Sequence, residues 1–142
     1  MLVAGIAGAF LLTGCSGREH SISFDGLPSA AQVFIGTYFP AESCVYAERE
    51  RDNGRWEYEA VLSNGAEIKF DAAGEWTEVD CKFSLLPAGI VPARIASDAA
   101  ARYPDAGIYK AKRLLGGYEI SIGSGLELIY SADGTFIRAE RY

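Results

Sequence analysis

The sequence predicts an α+β protein made of two tandem units, each with one helix followed by an antiparallel meander of about four strands. Three observations favour this fold class. Part of the chain recurs at a constant spacing, each copy begins with a proline-led apolar helical stripe, and alternating segments separated by glycine turns follow each stripe. We expect both helices on one face of a sheet, or of two adjoining sheets, which leaves the opposite face to water or a partner.

The composition is that of a folded, mildly acidic domain. Of 142 residues, 49% are hydrophobic and 23% are charged, which excludes a disordered, collagenous or coiled-coil chain. The 13 lysines and arginines against 19 aspartates and glutamates give a net charge of -6, which argues against a nucleic-acid partner. One histidine and three cysteines leave little material for catalysis, so we expect no enzyme and no cofactor.

The first residues, 1–14, predict a lipoprotein signal peptide. They carry no charge, are too short to span a bilayer, and end in the run Leu-Thr-Gly-Cys15, which resembles the lipobox of bacterial lipoproteins. We expect an acylated Cys15 to anchor the chain in the cell envelope, with residues 15–26 as a tether. Ser16, rather than an aspartate, favours the outer membrane, facing the periplasm or the exterior. The alternative is that this stretch is a buried strand or helix of the fold.

The body of the chain is predicted to be duplicated. Residues 58–80 align with residues 118–140 at a spacing of 60 without a gap. Upstream the spacing is 64, so the first copy holds four extra residues in the region 49–56. We therefore place one unit at 27–83 and the second at 84–142.

Each unit is expected to begin with a helix of about three turns. A proline at the helix start costs no hydrogen bond, and a second proline ends the helix. Apolar residues at i, i+4 and i+8 form one stripe in each copy, namely Ala31, Ile35 and Phe39, and Ile95, Ala99 and Tyr103.

Segments with a two-residue period follow each helix. Tyr118, Ile120 and Ile122 alternate with polar residues, and turns that contain glycine separate one such segment from the next. First strands around 44–50 and 108–114 complete a meander of about four strands in each unit.

These residues resemble the PepSY-like repeat of envelope proteins related in fold to the beta-lactamase inhibitor protein. The resemblance covers residues 27–142 and rests on these parts of the second copy: Tyr103-Pro104-Asp105-Ala106, Gly117-Tyr118-Glu119-Ile120, Gly125-Leu126-Glu127-Leu128, Tyr130 and Gly134. It implies a secreted or lipid-anchored, non-catalytic module whose concave sheet face suits a protein or peptide. No inhibitory loop residue can be matched, so the resemblance does not imply inhibition of a beta-lactamase.

Two cysteines remain once Cys15 is acylated. Cys44 begins the first strand of the first copy and Cys81 follows its last strand, so both lie at the same end of the meander. A disulfide is one interpretation and two buried free thiols are the other. Neither a CxxC motif nor a nearby base accompanies them, and one histidine gives no zinc-ligand spacing, so we expect neither thiol catalysis nor a metal site.

Acidic residues cluster around the extra residues of the first copy, at Glu48, Glu50, Asp52, Glu57 and Glu59. Paired carboxylates can act as acid and base or bind Ca²⁺. However, no calcium-loop motif accompanies them, and Glu57 and Glu59 lie on the solvated side of an alternating strand. A solvated face is therefore the competing interpretation.

We expect a protein or peptide partner on or beside the first copy. Residues 27–80 hold 11 acids and 4 bases, net -7, whereas residues 86–142 hold 6 acids and 7 bases, net +1. Because interface hot spots favour tryptophan and tyrosine, the candidate partner face is Trp56, Tyr46, Glu57, Glu59 and Trp76. Trp76 aligns with Phe136, so a structural role competes there, whereas Trp56 has no counterpart.

The sequence thus predicts a non-catalytic, lipid-anchored binding module of the cell envelope, such as a regulator or inhibitor of an envelope enzyme or protease. The alternative is a small-ligand or cation binder that uses the acidic first repeat or the cleft between the repeats.

Overall fold

The computed structural model describes residues 19–142, which form one nine-stranded antiparallel sheet and two helices. The strands follow one another in the sheet in chain order. The helices are α1 (Ser29–Tyr38) and α2 (Ala93–Arg102), and a short 3-10 turn covers Phe24–Gly26. The strands are β1 (Glu19–Ile22), β2 (Cys44–Asp52), β3 (Arg55–Leu62), β4 (Glu67–Phe70), β5 (Trp76–Asp80), β6 (Ile108–Leu114), β7 (Gly117–Ile122), β8 (Leu126–Ser131) and β9 (Phe136–Arg141).

The predicted tether is wrong over residues 19–26. These residues form β1 and the 3-10 turn, and β1 pairs antiparallel with β2. Ile22 lies opposite Ala47 and packs against the core, so β1 covers a backbone edge that β2 would otherwise leave open. The predicted signal peptide and Cys15 lie outside the described residues.

Both helices begin after a proline and end before the next one, as predicted. Pro28 and Pro92 occupy the N-cap positions, where a missing N–H leaves no intrahelical bond unmade. The chain leaves the helices at Phe39 and Tyr103. The residues that each helix buries belong to the predicted stripes, namely Ala31, Ile35, Ile95 and Ala99.

A single row of apolar residues crosses the sheet beneath both helices. Cross-strand partners point to the same face of a sheet, and the buried helix residues belong to the same core cluster as this row, apart from its exposed last member, Ala139. Both helices therefore lie on one face of one sheet, which decides between the two layouts that the sequence left open. From β1 to β9 the row is Ile22, Ala47, Ala60, Ile68, Val79, Ala111, Ile120, Leu128 and Ala139.

The extra residues of the first half lengthen one hairpin. Strands β2 and β3 turn at Asn53-Gly54, where φ is 49° and 78°. Asparagine-glycine is a favoured pair for a two-residue hairpin turn with positive φ at both positions. In the second half, β6 and β7 turn earlier in their ladder, at Leu115-Gly116, so the β2–β3 hairpin projects farther along the strand direction.

The turn between β4 and β5 presses against the start of α1. Gly74 has a φ of +86°, and a Cβ there would lie 2.8 Å from Pro28 Cβ and 3.0 Å from the backbone nitrogen of Ala31. Gly65, in the turn between β3 and β4, has a φ of +87° but open space around it. The two glycines therefore share a backbone conformation and differ in packing.

We expect Gly74→Ala to lower the free energy of unfolding by at least about 1 kcal/mol more than Gly65→Ala does. Both changes carry the strain of left-handed backbone, about 1–2 kcal/mol, but only Gly74→Ala forces α1 away from the turn. Urea unfolding followed by circular dichroism gives both values. Equal losses would show that this turn does not support the helix.

Candidate functional site

The face of the sheet that carries no helix is covered with charged side chains, and we call it the open face. Neighbours along a strand point to opposite faces, so this surface is formed by the rows on either side of the apolar row. One of its rows is Ser21, Glu48, Glu59, Lys69, Glu78, Lys112, Glu119, Ile129 and Arg138. The next is Tyr46, Val61, Glu67, Asp80, Lys110, Ser121, Glu127 and Glu140.

Opposite charges offset one another in the middle of the open face. The ammonium nitrogens of Lys69 and Lys110 lie 3.4 Å and 3.1 Å from carboxylate oxygens of Glu78. Burial favours the neutral carboxyl of Glu78, yet the hydrogen bond and charge of Lys110, together with Lys69, lower its pKa below the usual value. Lys82 Nζ lies 3.3 Å from Glu67 and from Asp80. These ion pairs neutralise the centre of the surface.

Four glutamates dominate the part of the open face that β2 and β3 form. Glu48, Glu50, Glu57 and Glu59 line a shallow concavity of about 100 Å³, in whose lining Lys69 is the cation. Glu48 lies opposite Glu59, and Glu50 lies opposite Glu57. Like charges that face each other across a ladder destabilise a sheet. We call these four residues the acidic quartet.

Two observations describe the surroundings of the acidic quartet, namely the pKa of Glu59 and a hydrogen bond to Glu48. Burial, followed by the negative charges of Glu48 and Glu67, raises the pKa of Glu59 against the opposing effect of Lys69. The Tyr46 hydroxyl donates a hydrogen bond to Glu48 Oε2 at 2.8 Å, and the Tyr46 side chain is 46% exposed. The quartet therefore combines an excess of negative charge with an accessible aromatic ring.

The structure divides the predicted partner-face residues between the two faces of the sheet. Tyr46, Glu57 and Glu59 belong to the open face. Trp56 lies opposite Arg51 on the helix-bearing face, and the guanidinium carbons of Arg49 and Arg51 lie 4.7 Å and 5.4 Å from its ring centroid. The five residues therefore do not form one surface.

Trp76 is wrong as a partner-face residue. Its side chain is only 5% exposed and belongs to the core. Its ring centroid lies 6.3 Å from that of Tyr118, and the guanidinium carbon of Arg113 lies 4.2 Å from it. The alignment with Phe136 indicated this structural role, and burial confirms it.

The predicted disulfide between Cys44 and Cys81 is absent, because both are free thiols. The two residues do lie at the same end of β2–β5, but β3 and β4 separate their strands. Three inter-strand spacings amount to roughly 14 Å, whereas a disulfide needs Cα atoms within about 7 Å. Burial raises the pKa of both thiols, and the charge of Asp80 helps to bring that of Cys81 to about 11. Both sulfurs are therefore poor nucleophiles at neutral pH.

The sequence offered a cleft between the two repeats as an alternative ligand site. A concavity of about 420 Å³ beside α2 is lined by residues between Leu85 and Ile108, which all belong to the second predicted unit and therefore do not form such a cleft. Within residues 19–142, no group of three or more histidine, cysteine, aspartate or glutamate side chains is placed to hold a metal ion. Neither described helix is long and apolar enough to cross a membrane.

Lys69 is the residue of this site that sequence analysis missed. It lies opposite Glu59 on one side and Glu78 on the other, and so links the acidic quartet to the neutral centre of the open face. Its alternation with Ile68 and Phe70 was the available signal, because that alternation puts Lys69 on the solvated side of its strand.

We expect Glu59→Gln and Glu78→Gln to change thermal stability in opposite directions near pH 7. A raised pKa means that folding disfavours the charged form of Glu59, so Glu59→Gln raises Tm, and the gain shrinks as the pH falls through the titration of Glu59. A lowered pKa means that the charge of Glu78 stabilises the fold. Glu78→Gln therefore lowers Tm, and that loss fades as the pH falls through the lowered pKa.

Thermal unfolding followed by circular dichroism, at about pH 7 and in steps down to about pH 3, measures both differences. Changes of the same sign near pH 7 would contradict the assigned electrostatics.

Comparison with known proteins gives a family and several solved relatives. A family model described as "Putative beta-lactamase-inhibitor-like, PepSY-like" matches residues 56–138. A "putative periplasmic protein" of the DUF2874 family from Bacteroides vulgatus is 33% identical over 89% of this chain and 99% of its own, with a TM-score of 0.84. A "putative calcium-regulated periplasmic protein" from Bacteroides thetaiotaomicron is 32% identical over 87% of this chain and 97% of its own, with a TM-score of 0.83.

A second Bacteroides vulgatus protein, described as a "putative periplasmic protein of unknown function", is 30% identical over 86% of this chain and 98% of its own, with a TM-score of 0.83. No curated protein matches the chain. The family match spans more than half of the sequence, and the solved relatives share nearly its whole described fold. The chain therefore belongs to the PepSY-like, beta-lactamase-inhibitor-like family.

Proposed function

We propose that this protein is a non-catalytic binding module of the cell envelope, which holds a basic segment of a protein partner against the acidic quartet. The observation that carries the proposal is the facing pairs Glu48–Glu59 and Glu50–Glu57, with Tyr46 exposed beside them. Carboxylates that repel one another cost the free protein stability. A cationic partner removes that cost, and complementary charge also speeds and orients association.

The family supports a partner that is itself a protein. Its description is beta-lactamase-inhibitor-like, and an open antiparallel sheet face offers a broad surface rather than a deep pocket. In this proposal the module restrains or regulates an envelope enzyme or protease. The two halves act as tandem PepSY-like repeats, which the spacings of 60 and 64 residues support. The first repeat carries the binding charge.

We expect the variant Glu48→Gln/Glu57→Gln/Glu59→Gln to bring down at least about tenfold less partner than the wild type. The variant and the wild type are each captured from cross-linked native envelopes, and mass spectrometry identifies the protein that is stoichiometric with the wild type. The matched control is Glu119→Gln/Glu127→Gln/Glu140→Gln, which removes the same number of charges elsewhere on the open face. Trp56→Ala changes the other face, and both controls keep the partner. An equal loss in the two triple variants would contradict a local site.

A second candidate function is binding of Ca²⁺ or a small ligand by the acidic quartet. The name of the 32% identical Bacteroides thetaiotaomicron relative favours it, as do the carboxylate oxygens that Ca²⁺ prefers. The described side chains would have to rearrange, because no three of them are placed to hold an ion. An empty envelope capture, with a Tm that Ca²⁺ raises in the wild type but not in Glu48→Gln/Glu57→Gln/Glu59→Gln, would replace the first function with this one.

We also propose that acylated Cys15 holds the protein to the outer membrane. The run Leu-Thr-Gly-Cys15 and the periplasmic relatives support this location. When cells that express the full chain are extracted with a phase-separating detergent, we expect the wild type in the detergent phase and Cys15→Ser largely in the aqueous phase once it is exported. Identical partition of the wild type and Cys15→Ser would overturn the anchor.

A further inference from the structure

Strand β9 leaves one backbone edge open. In the described part of the chain it pairs with β8 alone, whereas every strand from β2 to β8 has two neighbours. The N–H of Tyr142 donates to the carbonyl of Gly125 in the turn before β8. Because the direction of these groups alternates along a strand, the N–H and C=O of Ala139 and Arg141 point to the open edge. Such an edge is a template for another strand.

Strand β5 shows how the corresponding edge is used inside the same sheet. It stands 60 residues before β9, and Val79, at the place of Ala139, lies opposite Ala111 of β6. The N–H of Cys81 donates to the carbonyl of Tyr109, so the backbone groups of Val79 also point to β6. The edge that β9 leaves open is therefore the edge through which β5 pairs.

The sequence of β9 is complementary to itself about Ala139. When two β9 strands lie antiparallel with Ala139 opposite Ala139, Arg138 of each copy faces Glu140 of the other. Opposite charges in facing positions stabilise an antiparallel pair, whereas like charges destabilise it. The outward N–H and C=O of Ala139 then form a reciprocal pair of hydrogen bonds on the two-fold axis.

The charges around Glu140 favour this arrangement. Glu140 lies opposite Glu127 of β8, and the pKa of Glu127 is raised by burial and by the charges of Glu119 and Glu140. Within one copy, Arg138 contacts Glu140 along the strand, and both side chains are about half exposed. A second arginine on the open side of Glu140 would offset the excess of carboxylates at this edge.

We propose that two copies of this chain pair through β9, so that one sheet continues across both. The contact is isologous and closes at two copies, whereas pairing of β9 with β1 of the next copy would produce an open-ended polymer. A ladder of a few residues is a small interface, so the dimer is weak and forms at high local concentration.

Disulfide cross-linking in intact envelopes tests the proposal on the full chain. Facing residues of such a pair have Cα atoms about 5.5 Å apart, within the range of a disulfide. We expect Ala139→Cys to give a covalent dimer on mild oxidation, whereas Val33→Cys, which is 67% exposed on α1, does not. Cys81 is buried and Cys44 is partly buried, and the wild type, which keeps both, controls for any cross-link that they form.

Charge reversal adds a control in which the cysteine stays at position 139 and only the facing charges change. In the Ala139→Cys background, Arg138→Glu or Glu140→Arg alone puts like charges opposite each other, and we expect about tenfold less dimer. The double change Arg138→Glu/Glu140→Arg restores complementary pairs and restores the dimer. Cross-linking no greater than that of Val33→Cys, or no recovery in the double variant, would overturn the proposal. So would a dimer that forms only between Ala139→Cys and His20→Cys, which lies on the same face of the sheet as Ala139 and marks the β9–β1 contact.

Discussion

The fold depends on one cross-strand register that is carried through nine strands. The row from Ile22 to Leu128 places apolar side chains beneath both helices, and the rows beside it place charged side chains on the open face. A slip of one residue in any ladder would exchange those two faces for the strand involved. Irregularities of register do occur, as between Lys69 and Phe70 and between Ile129 and Tyr130, but they stand at ladder ends and keep the faces in place.

The two halves fill one position of the core in different ways. In the first half the rings of Phe34 and Phe70 meet edge to face, with centroids 5.7 Å apart. In the second half the buried Tyr130 hydroxyl donates to Asp98 Oδ2 at 2.7 Å. Asp98 and Tyr130 stand 64 and 60 residues after the two phenylalanines, which are the spacings found for helix and strands. A polar group is buried here only where a matching acceptor accompanies it.

Much of this architecture could be predicted because its signals are local. Prolines mark the helix ends, glycines mark the turns, and the two-residue period marks the strands, so both stripes and both first strands were found. Strand β1 was taken for a tether because its four residues acquire meaning only from a partner as distant as Ala47. The prediction of a disulfide was wrong for a similar reason. Sequence order places Cys44 and Cys81 at one end of the sheet but says little about the distance between their strands.

The candidate site was predicted in part for the same reason. Clustering of Glu57, Glu59 and Tyr46 could be found from composition and alternation. The separation of Trp56 from Glu57 and Glu59 follows from alternation along β3, because neighbours along a strand point to opposite faces. Its separation from Tyr46 on β2 depends on the pairing across the hairpin, in which Trp56 lies opposite Arg51. Trp76 was distinguishable in principle, because a residue that recurs as an aromatic in the other copy is expected to fill a core position.

Strands β1 and β9 are the outermost strands, so the described chain enters the sheet at one edge and leaves it at the other. Eight inter-strand spacings, roughly 38 Å, separate these edges. Tension applied between the two ends acts across the strands, along the direction of their hydrogen bonds, and loads the ladders one after another instead of shearing several together. A molecule pulled from both ends would therefore unravel strand by strand from an edge, although heat melts its shared core as a unit.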